Sequence, residues 1–357
     1  MNIHDLARHL NVSIGTVSRA LNGRSDVSDE TRKRVLEAAE TLGYSPNQSG
    51  RSLRQGATGI IGFMVVTNRE RAEKGEAFFM SVFDGLQSHL ATRGFDLVVL
   101  LSSADQDPNA YLRRVVERRL ADAVIISDTQ RFDPRIDYLM KRKVPFVAFG
   151  RSESGGDHPW VDLDFEGVAE QSIDRLTRAG HERIAIATAS NEVNYGYLFV
   201  DACRAALKKR GIDLTDDLIL REPLSEAGGF RLGERLLAMT DRPTAVLLVD
   251  NKMATGLYHR FHDAGVVPGR DIAVIGFDDS PQGAFLVPAL TRFRVSLSDL
   301  GRKLGEDLVE VIEAKAAGQH PPARQTIWPM ELIPGESDGP PRSVVAPRQR
   351  PARVEAG

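Results

Sequence analysis

The chain has 357 residues, 42% hydrophobic and 27% charged, a length that suits two or three compact units rather than one. No apolar run approaches the ~18 residues needed to cross a bilayer, the N-terminal MNIHDLARHL lacks the apolar stretch of a secretory signal, and the single cysteine, Cys203, excludes an internal disulfide framework or a multi-cysteine zinc site. A cytoplasmic protein with no membrane partner is expected. Residues 1–56 carry eight Lys/Arg against six Asp/Glu and residues 336–357 four against three, so within the net −3 the middle stands at −6; a slightly basic head on an acidic body permits a focused contact with a polyanion, not a general one.

Apolar spacing divides the first 45 residues into three short helices. Ile3, Leu6, Ala7 and Leu10 mark the first. Asn11 breaks the chain, and Ser13 caps a second helix to about Leu21 with Val17, Ala20 and Leu21 facing inward. NGRSD reads as a turn, and Ser28 with Thr31 opens a third helix carrying Val35, Leu36, Ala39 and Leu42. Such a trio forms a helix-turn-helix, whose second helix enters the DNA major groove. On that helix Ile14, Gly15, Ser18 and Arg19 point away from the core. Arg19 suits phosphate or the O6/N7 edge of guanine, while Ser13, Thr16 and Ser18 offer short hydroxyls to phosphates beside a helix N-terminus. A packing module with a solvated arginine is the alternative.

IHDLARHLNVSIGTVSRALNGRSDVSDETRKRVLEAAETLGYSPNQSGRSLRQGATGIIGF resembles the head of the LacI/GalR family of bacterial transcriptional regulators, through TVSRALN, VSDETRKRV and LGYSPN. The resemblance implies that Ile14, Gly15 and Arg19 read bases, with Asp5, Thr16 and Asn22 near the DNA backbone. Residues 46–57 would then be a hinge helix that forms on DNA, with Leu53 wedged into the minor groove and Asn47, Arg51 and Arg54 lining it. Gly50 stands where the family commonly has Ala, which costs a helix interior ~1 kcal/mol. By composition alone the same residues read as an ordinary linker.

From residue 58 to 335 short apolar strands alternate with amphipathic helices. GIIGFMVV, DLVVLL, DAVIIS and PFVAFG read as strands, with helices at about Ala77–Arg93, Tyr111–Arg119 and Ile136–Lys141. After residue 162 the scheme repeats: a helix to Ala179, RIAIAT, helices at Phe199–Arg210 and Phe230–Met239, TAVLLVD, a helix at Met253–Ala264, IAVIGFDD, and a last helix at Ser298–Ala317. This pattern predicts two doubly wound α/β lobes with a ligand cleft beyond the carboxyl ends of their strands. RAGHERIAIAT, GVVPGRDIAVIGFDDSP and PALTRFRVSLSDLGRKLGEDLVEVI are similar to the same family's periplasmic-binding-protein-like core, which implies that residues near 290–298 return to the first lobe.

Strand ends offer Arg151, Trp160, Asp164, Asn251 and Asp278 as ligand-binding candidates, because a sugar needs carboxylates and amides for its hydroxyls and an aromatic face for its C–H bonds. The resemblance adds a position that commonly carries a ligand-gripping arginine and here is Phe199. A loop-capping role for each aspartate and a core role for Trp160 stay open. Phe165 also replaces an asparagine, with Tyr195 and Tyr197 nearby; losing an arginine and gaining aromatics points to a neutral mono- or disaccharide. A phosphorylated effector would need a cation, which Arg151 alone obviously offers.

DQDPNA lacks the glycine and glutamate of a calcium loop, GRSESG is out of register with a nucleophile elbow, and no catalytic set, metal site or cofactor motif assembles. Residues 336–357, rich in Pro and Arg, read as a disordered tail without leucine heptads. The expectation is therefore a homodimeric regulator, a repressor of a carbohydrate uptake or catabolic operon, binding a palindromic operator under control of that sugar. An activator, or a repressor needing a sugar phosphate or nucleobase as corepressor, remains open. From other classes, a sugar-binding transport receptor would need a signal peptide and no head, and an α/β metabolic enzyme would need a catalytic set; the sequence opposes both.

Overall fold

The computed structural model describes residues 2–21, 24, 26–44, 57–67, 77–277 and 285–341. They fall into two compact units, Met1–Gly59 and Ile60–Gly357.

The smaller unit holds three helices: α1 (Ile3–Leu10), α2 (Ile14–Leu21) and α3 (Asp29–Thr41). Each begins where a short polar side chain can satisfy the exposed amides of a first turn. Asn2 and Asp5 form a reciprocal capping box on α1. Ser13 Oγ accepts from the Thr16 amide at 3.0 Å, and Ser28 Oγ accepts from the Thr31 amide. The chain leaves α1 through Asn11 at φ 52°, a left-handed turn that asparagine tolerates better than most residues. Leu6, Ala7, Val17, Ala20, Val27, Val35 and Ala39 bury one another. With so few and such small side chains the core sits close to the lower size limit for independent stability.

The larger unit contains two six-stranded sheets of corresponding strand order. In the first lobe β1 (Ile60–Val66), β2 (Asp96–Ser102), β3 (Ala123–Ile126), β4 (Phe146–Phe149), β5 (Trp160–Leu163) and β11 (Gln325–Trp328) stand in the order β11-β5-β4-β3-β1-β2, all pairs parallel. The second lobe has β6 (Ile184–Ala189), β7 (Ile219–Glu222), β8 (Ala245–Leu248), β9 (Ala273–Phe277), β10 (Thr291–Arg294) and β12 (Glu331–Ile333), ordered β12-β10-β9-β8-β6-β7 with only β12 antiparallel. Parallel strands need crossover helices, and central strands covered on both faces become continuous apolar runs. Ile184–Ala189 and Ala245–Leu248 are accordingly buried at every position.

The helices are α4 (Ala77–Ala91), α5 (Pro108–Glu117), α6 (Pro134–Arg142), α7 (Phe165–Arg178), α8 (Asn194–Lys208), α9 (Glu226–Ala238), α10 (Asn251–Asp263) and α11 (Leu297–Ala316). α11 packs on α4, as the return to the first lobe requires. Their crossing is set by glycine: a Cβ on Gly301 would overlap the Val82 carbonyl oxygen, and one on Gly85 the Ser298 carbonyl. In the second lobe α9 and α10 meet the same way at Gly229 and Gly256. The chain passes between the lobes three times, from β5 into α7, from β10 into α11 and from β11 into β12.

Strands β5, β7, β10, β11 and β12 are absent from the sequence-based expectation. Each is three or four residues long and contains a polar residue, unlike the equally short but wholly apolar β3, β4 and β8, so none stands out as a buried run. The expected tail boundary at 336 is also displaced. Ser337 and Asp338 are buried, Ser337 exchanges hydrogen bonds with Val274 and accepts one from the Thr291 amide, and Asp338 accepts from Thr291 Oγ1 and pairs with Arg175. Packing thus extends at least to Gly339, whose carbonyl contacts His181.

Candidate DNA interface and ligand cleft

On α2 the buried positions are Val17 and Ala20, which turns Ile14, Gly15 and Arg19 to the surface; Ile14 is 39% exposed. Ser13 and Thr16 share a hydroxyl hydrogen bond of 2.8 Å, so the first turn presents amides and hydroxyls together. Ser18 is half-buried on the same helix. The Arg19 guanidinium lies back over this turn, where a Cβ on Gly15 would stand 3.3 Å from its Nη1. Arg19 also pairs with Asp26, Nε to Oδ2 3.3 Å, a partner that sequence reasoning missed because the two lie in different segments. Asp5, placed near DNA by resemblance, is occupied by the α1 capping box and by Arg8 at 3.7 Å. Asn22, Asn47, Arg51, Leu53 and Arg54 lie outside the described residues, as does the rest of the proposed hinge through residue 56.

In the larger unit a cleft of about 150 Å³ opens between the two sheets, room for on the order of ten waters and hence for a small organic molecule. Its walls are built from the carboxyl ends of strands. Ser127, Asp128 and Thr129 follow β3, Gly150 and Arg151 follow β4, and Asp162 and Leu163 end β5. Across from them stand Val249, Asp250, Asn251 and Lys252 after β8, and Phe277 ending β9.

Aromatic rings form the floor and sides. Phe165 stacks on Tyr195 with centroids 5.5 Å apart and on Phe277 at 5.4 Å, and Phe78 lies parallel to Phe149 at 6.1 Å. Phe78, Phe79 and Phe149 escaped sequence reasoning because they read as core positions of a helix and a strand. Phe199 is corrected: it is 1% exposed and packs edge-on behind Phe277 rather than on the wall, since the inward face of α8 points into the second lobe's core. Trp160 is corrected likewise. It begins β5, remote from the strand end, and packs behind Arg151, 5.6 Å from ring centroid to guanidinium. Asp164 caps α7, accepting from the Gly167 amide at 2.8 Å, and contributes nothing to the wall. Asn251 lines the cleft, and Asp278 lies outside the described residues.

Arg151 is on the wall but its charge is taken. Nε donates to Asp162 at 2.8 Å, and both terminal nitrogens donate to Glu166 at 2.6 and 2.8 Å. Burial works against this guanidinium, yet the two carboxylates outweigh it and hold it protonated. Hydrogen bonding to Arg151 holds Glu166 below the usual carboxylate range. Burial pushes Asp162 up, and Arg151 pulls it back. The Arg151 carbonyl in turn accepts from Thr129 Oγ1 and from Asn194 Nδ2. With Asp128, Asp162 and Asp250 against Arg151 and Lys252, the wall carries more carboxylates than cations, which disfavours an anionic guest.

Comparison with known proteins agrees with both halves. The profile of bacterial regulatory proteins of the lacI family matches residues 2–47, and that of the periplasmic binding protein-like domain matches residues 173–337. The chain is 34% identical over 346 residues, 95% of each chain, to the HTH-type transcriptional regulator AglR of Rhizobium meliloti (strain 1021). It is similar in structure to a transcriptional regulator CelR–cellobiose complex, with 25% identity, a TM-score of 0.71, and coverage of 94% of this chain and 99% of that one. The lac repressor dimer bound to operator shares its fold, with a TM-score of 0.82 at 21% identity over 95% and 99% of the two chains. A lacI-type helix-turn-helix joined to a periplasmic-binding-protein-like core, with a full-length relative above 30% identity, establishes that this chain belongs to the lacI family of bacterial transcriptional regulators.

Proposed function

We propose that the protein is a cytoplasmic, homodimeric repressor of a carbohydrate uptake or catabolic operon, released from a palindromic operator by a neutral mono- or disaccharide. One observation carries the effector class: the cleft pairs stacked aromatic faces with strand-end polar groups, while its arginine, Arg151, is neutralised by Asp162 and Glu166. Aromatic rings suit the C–H faces of a sugar, carboxylates and amides its hydroxyls. The cellobiose complex of a relative supports the same class.

On the DNA side Ile14, Gly15 and Arg19 would meet base edges, with Ser13, Thr16 and Ser18 on phosphates. Leu53, with Asn47, Arg51 and Arg54, would serve the minor groove. The exposed Val98, Val99 and Leu101 of β2, the edge strand of the first sheet, support dimerisation, because an uncovered apolar edge invites pairing. Ligand control follows if the sugar binds one lobe angle better than another.

A thermal-shift screen against neutral sugars, polyols, sugar phosphates and nucleobases tests the reading. A ligand at 100 times its dissociation constant stabilises by about 2.7 kcal/mol, so a rise with one neutral sugar is expected. A rise with phosphorylated sugars or nucleobases alone refutes the effector class.

A further inference from the structure

A second hollow, sharing no lining residue with the cleft, lies where the two lobes of the larger unit touch at one edge. Its volume is about 300 Å³, and three arginines, Arg131 from the loop after β3, Arg204 on α8 and Arg221 on β7, border it together with two carboxylates, Asp201 and Asp216. The lobes join beside it through the Gln130–Val193 bridge and the Asn194 amide, which donates to the Thr129 carbonyl at 2.8 Å.

Tyr197 organises the group. The Arg221 guanidinium lies 5.1 Å from the Tyr197 ring centroid and that of Arg131 5.9 Å, and the Tyr197 hydroxyl is anchored on Glu192 at 2.5 Å. Arg131 is paired with Glu153 at 2.7 Å. Arg204 meets Asp201 on its own helix at 3.3 Å and touches Asp216 only at 3.6 Å, with the Asp216 side chain 97% exposed. Arg221 differs. It donates to the Ala189 carbonyl at 3.2 Å and stacks on Tyr197, and among the described residues no carboxylate pairs with it. A guanidinium held by a carbonyl and a ring, with its charge unanswered at the rim of a hollow, is preorganised for an oxyanion.

We propose that this hollow is a second effector site, for an oxyanion such as a phosphate or phosphomonoester. Arg221 supplies the principal fork and Arg204 turns from Asp216 to complete it. Because Arg131 belongs to the first lobe and Arg204 and Arg221 to the second, the bound anion favours the lobe angle that brings the three guanidiniums together. The binding claim is independent of the sugar assignment for the cleft.

Isothermal titration of the full chain with inorganic phosphate, and in a parallel arm with glycerol phosphate, at constant ionic strength tests it. Saturable binding on the order of 1 mM or tighter is expected. Arg221→Gln should weaken it about tenfold or more, and Asp216→Asn, at a fully solvated position, should tighten it by removing a competitor for Arg204. Tighter binding in the glycerol phosphate arm names a phosphomonoester as the effector, and equal binding names phosphate itself. Arg204→Gln serves as the second loss variant should Arg221→Gln melt early. Non-saturable heats, or phosphate affinity unchanged in both loss variants, would overturn the proposal.

Discussion

Behind the cleft wall, Asp133 and Arg135 form an ion pair whose side chains are 1% and 4% exposed. The Arg135 guanidinium contacts both Asp133 oxygens and also donates to the Ser127 and Asp128 carbonyls at 3.0 and 3.1 Å. Those two residues line the cleft, and Asp128 sits at φ 51°, a left-handed conformation that needs support from its surroundings. Replacing Arg135 by Met keeps most of the stem's volume but strands a buried carboxylate with only the Gln130 and residue-135 amides as partners. Breaking one half of a buried pair costs about 3–5 kcal/mol. For a unit of about 300 residues, whose unfolding entropy is about 2.1 cal/mol/K per residue, that is roughly 5–8 °C in Tm. Adding Asp133→Asn removes the stranded charge and keeps a side chain that can cap α6, so the double variant should recover at least about 2 kcal/mol. Differential scanning calorimetry of the three proteins decides. An Arg135→Met protein within about 1 kcal/mol of the parent, or a double variant no more stable than the single, would refute the reasoning.

Three further predictions follow from particular contacts. Arg19→Ala should cost ~1–3 kcal/mol on the cognate operator and flatten base preference; an equal loss on random DNA in a competition assay would reduce Arg19 to a phosphate contact. Gly301→Ala is diagnostic by sign. Helix propensity alone would stabilise by up to ~1 kcal/mol, whereas overlap with the Val82 carbonyl should destabilise by about 1–3 kcal/mol, and urea denaturation separates the two. Finally, burial holds His158 and His181 below the ordinary histidine value of 6.5. The unfolded chain therefore takes up these protons first as pH falls, so stability is full above 6.5 and declines below it. The melting temperature should drop as pH falls through and below about 6.5, less steeply in His181→Gln; a flat profile, or an unchanged slope in the variant, would contradict this.

Much of the fold was legible because its signals are local. Short apolar runs such as Ile184–Ala189 between turn signals read as buried strands, as they prove to be, and caps such as Ser13 and Ser28 announce helices in the residues themselves. The short strands β10, β11 and β12 were not legible, since their pairing is decided by β9, β5 and β10 across long stretches of chain. The cleft was readable in part for the same reason. Arg151 and Asn251 follow recognisable strands, but Phe199 and Phe165 are both aromatic residues near helix starts, and only packing puts one behind the wall and the other on it. The neutralisation of Arg151 required Asp162 and Glu166 to come from two elements, which no spacing rule links.

On the proposed function, a neutral sugar in the aromatic cleft controls DNA affinity. Fluorescence anisotropy with a palindromic duplex selected from random DNA by the protein itself, titrated with and without the sugar that raises its melting temperature, tests this directly. Operator affinity should fall about tenfold or more at saturating sugar. Identical titration curves in the two conditions would contradict it.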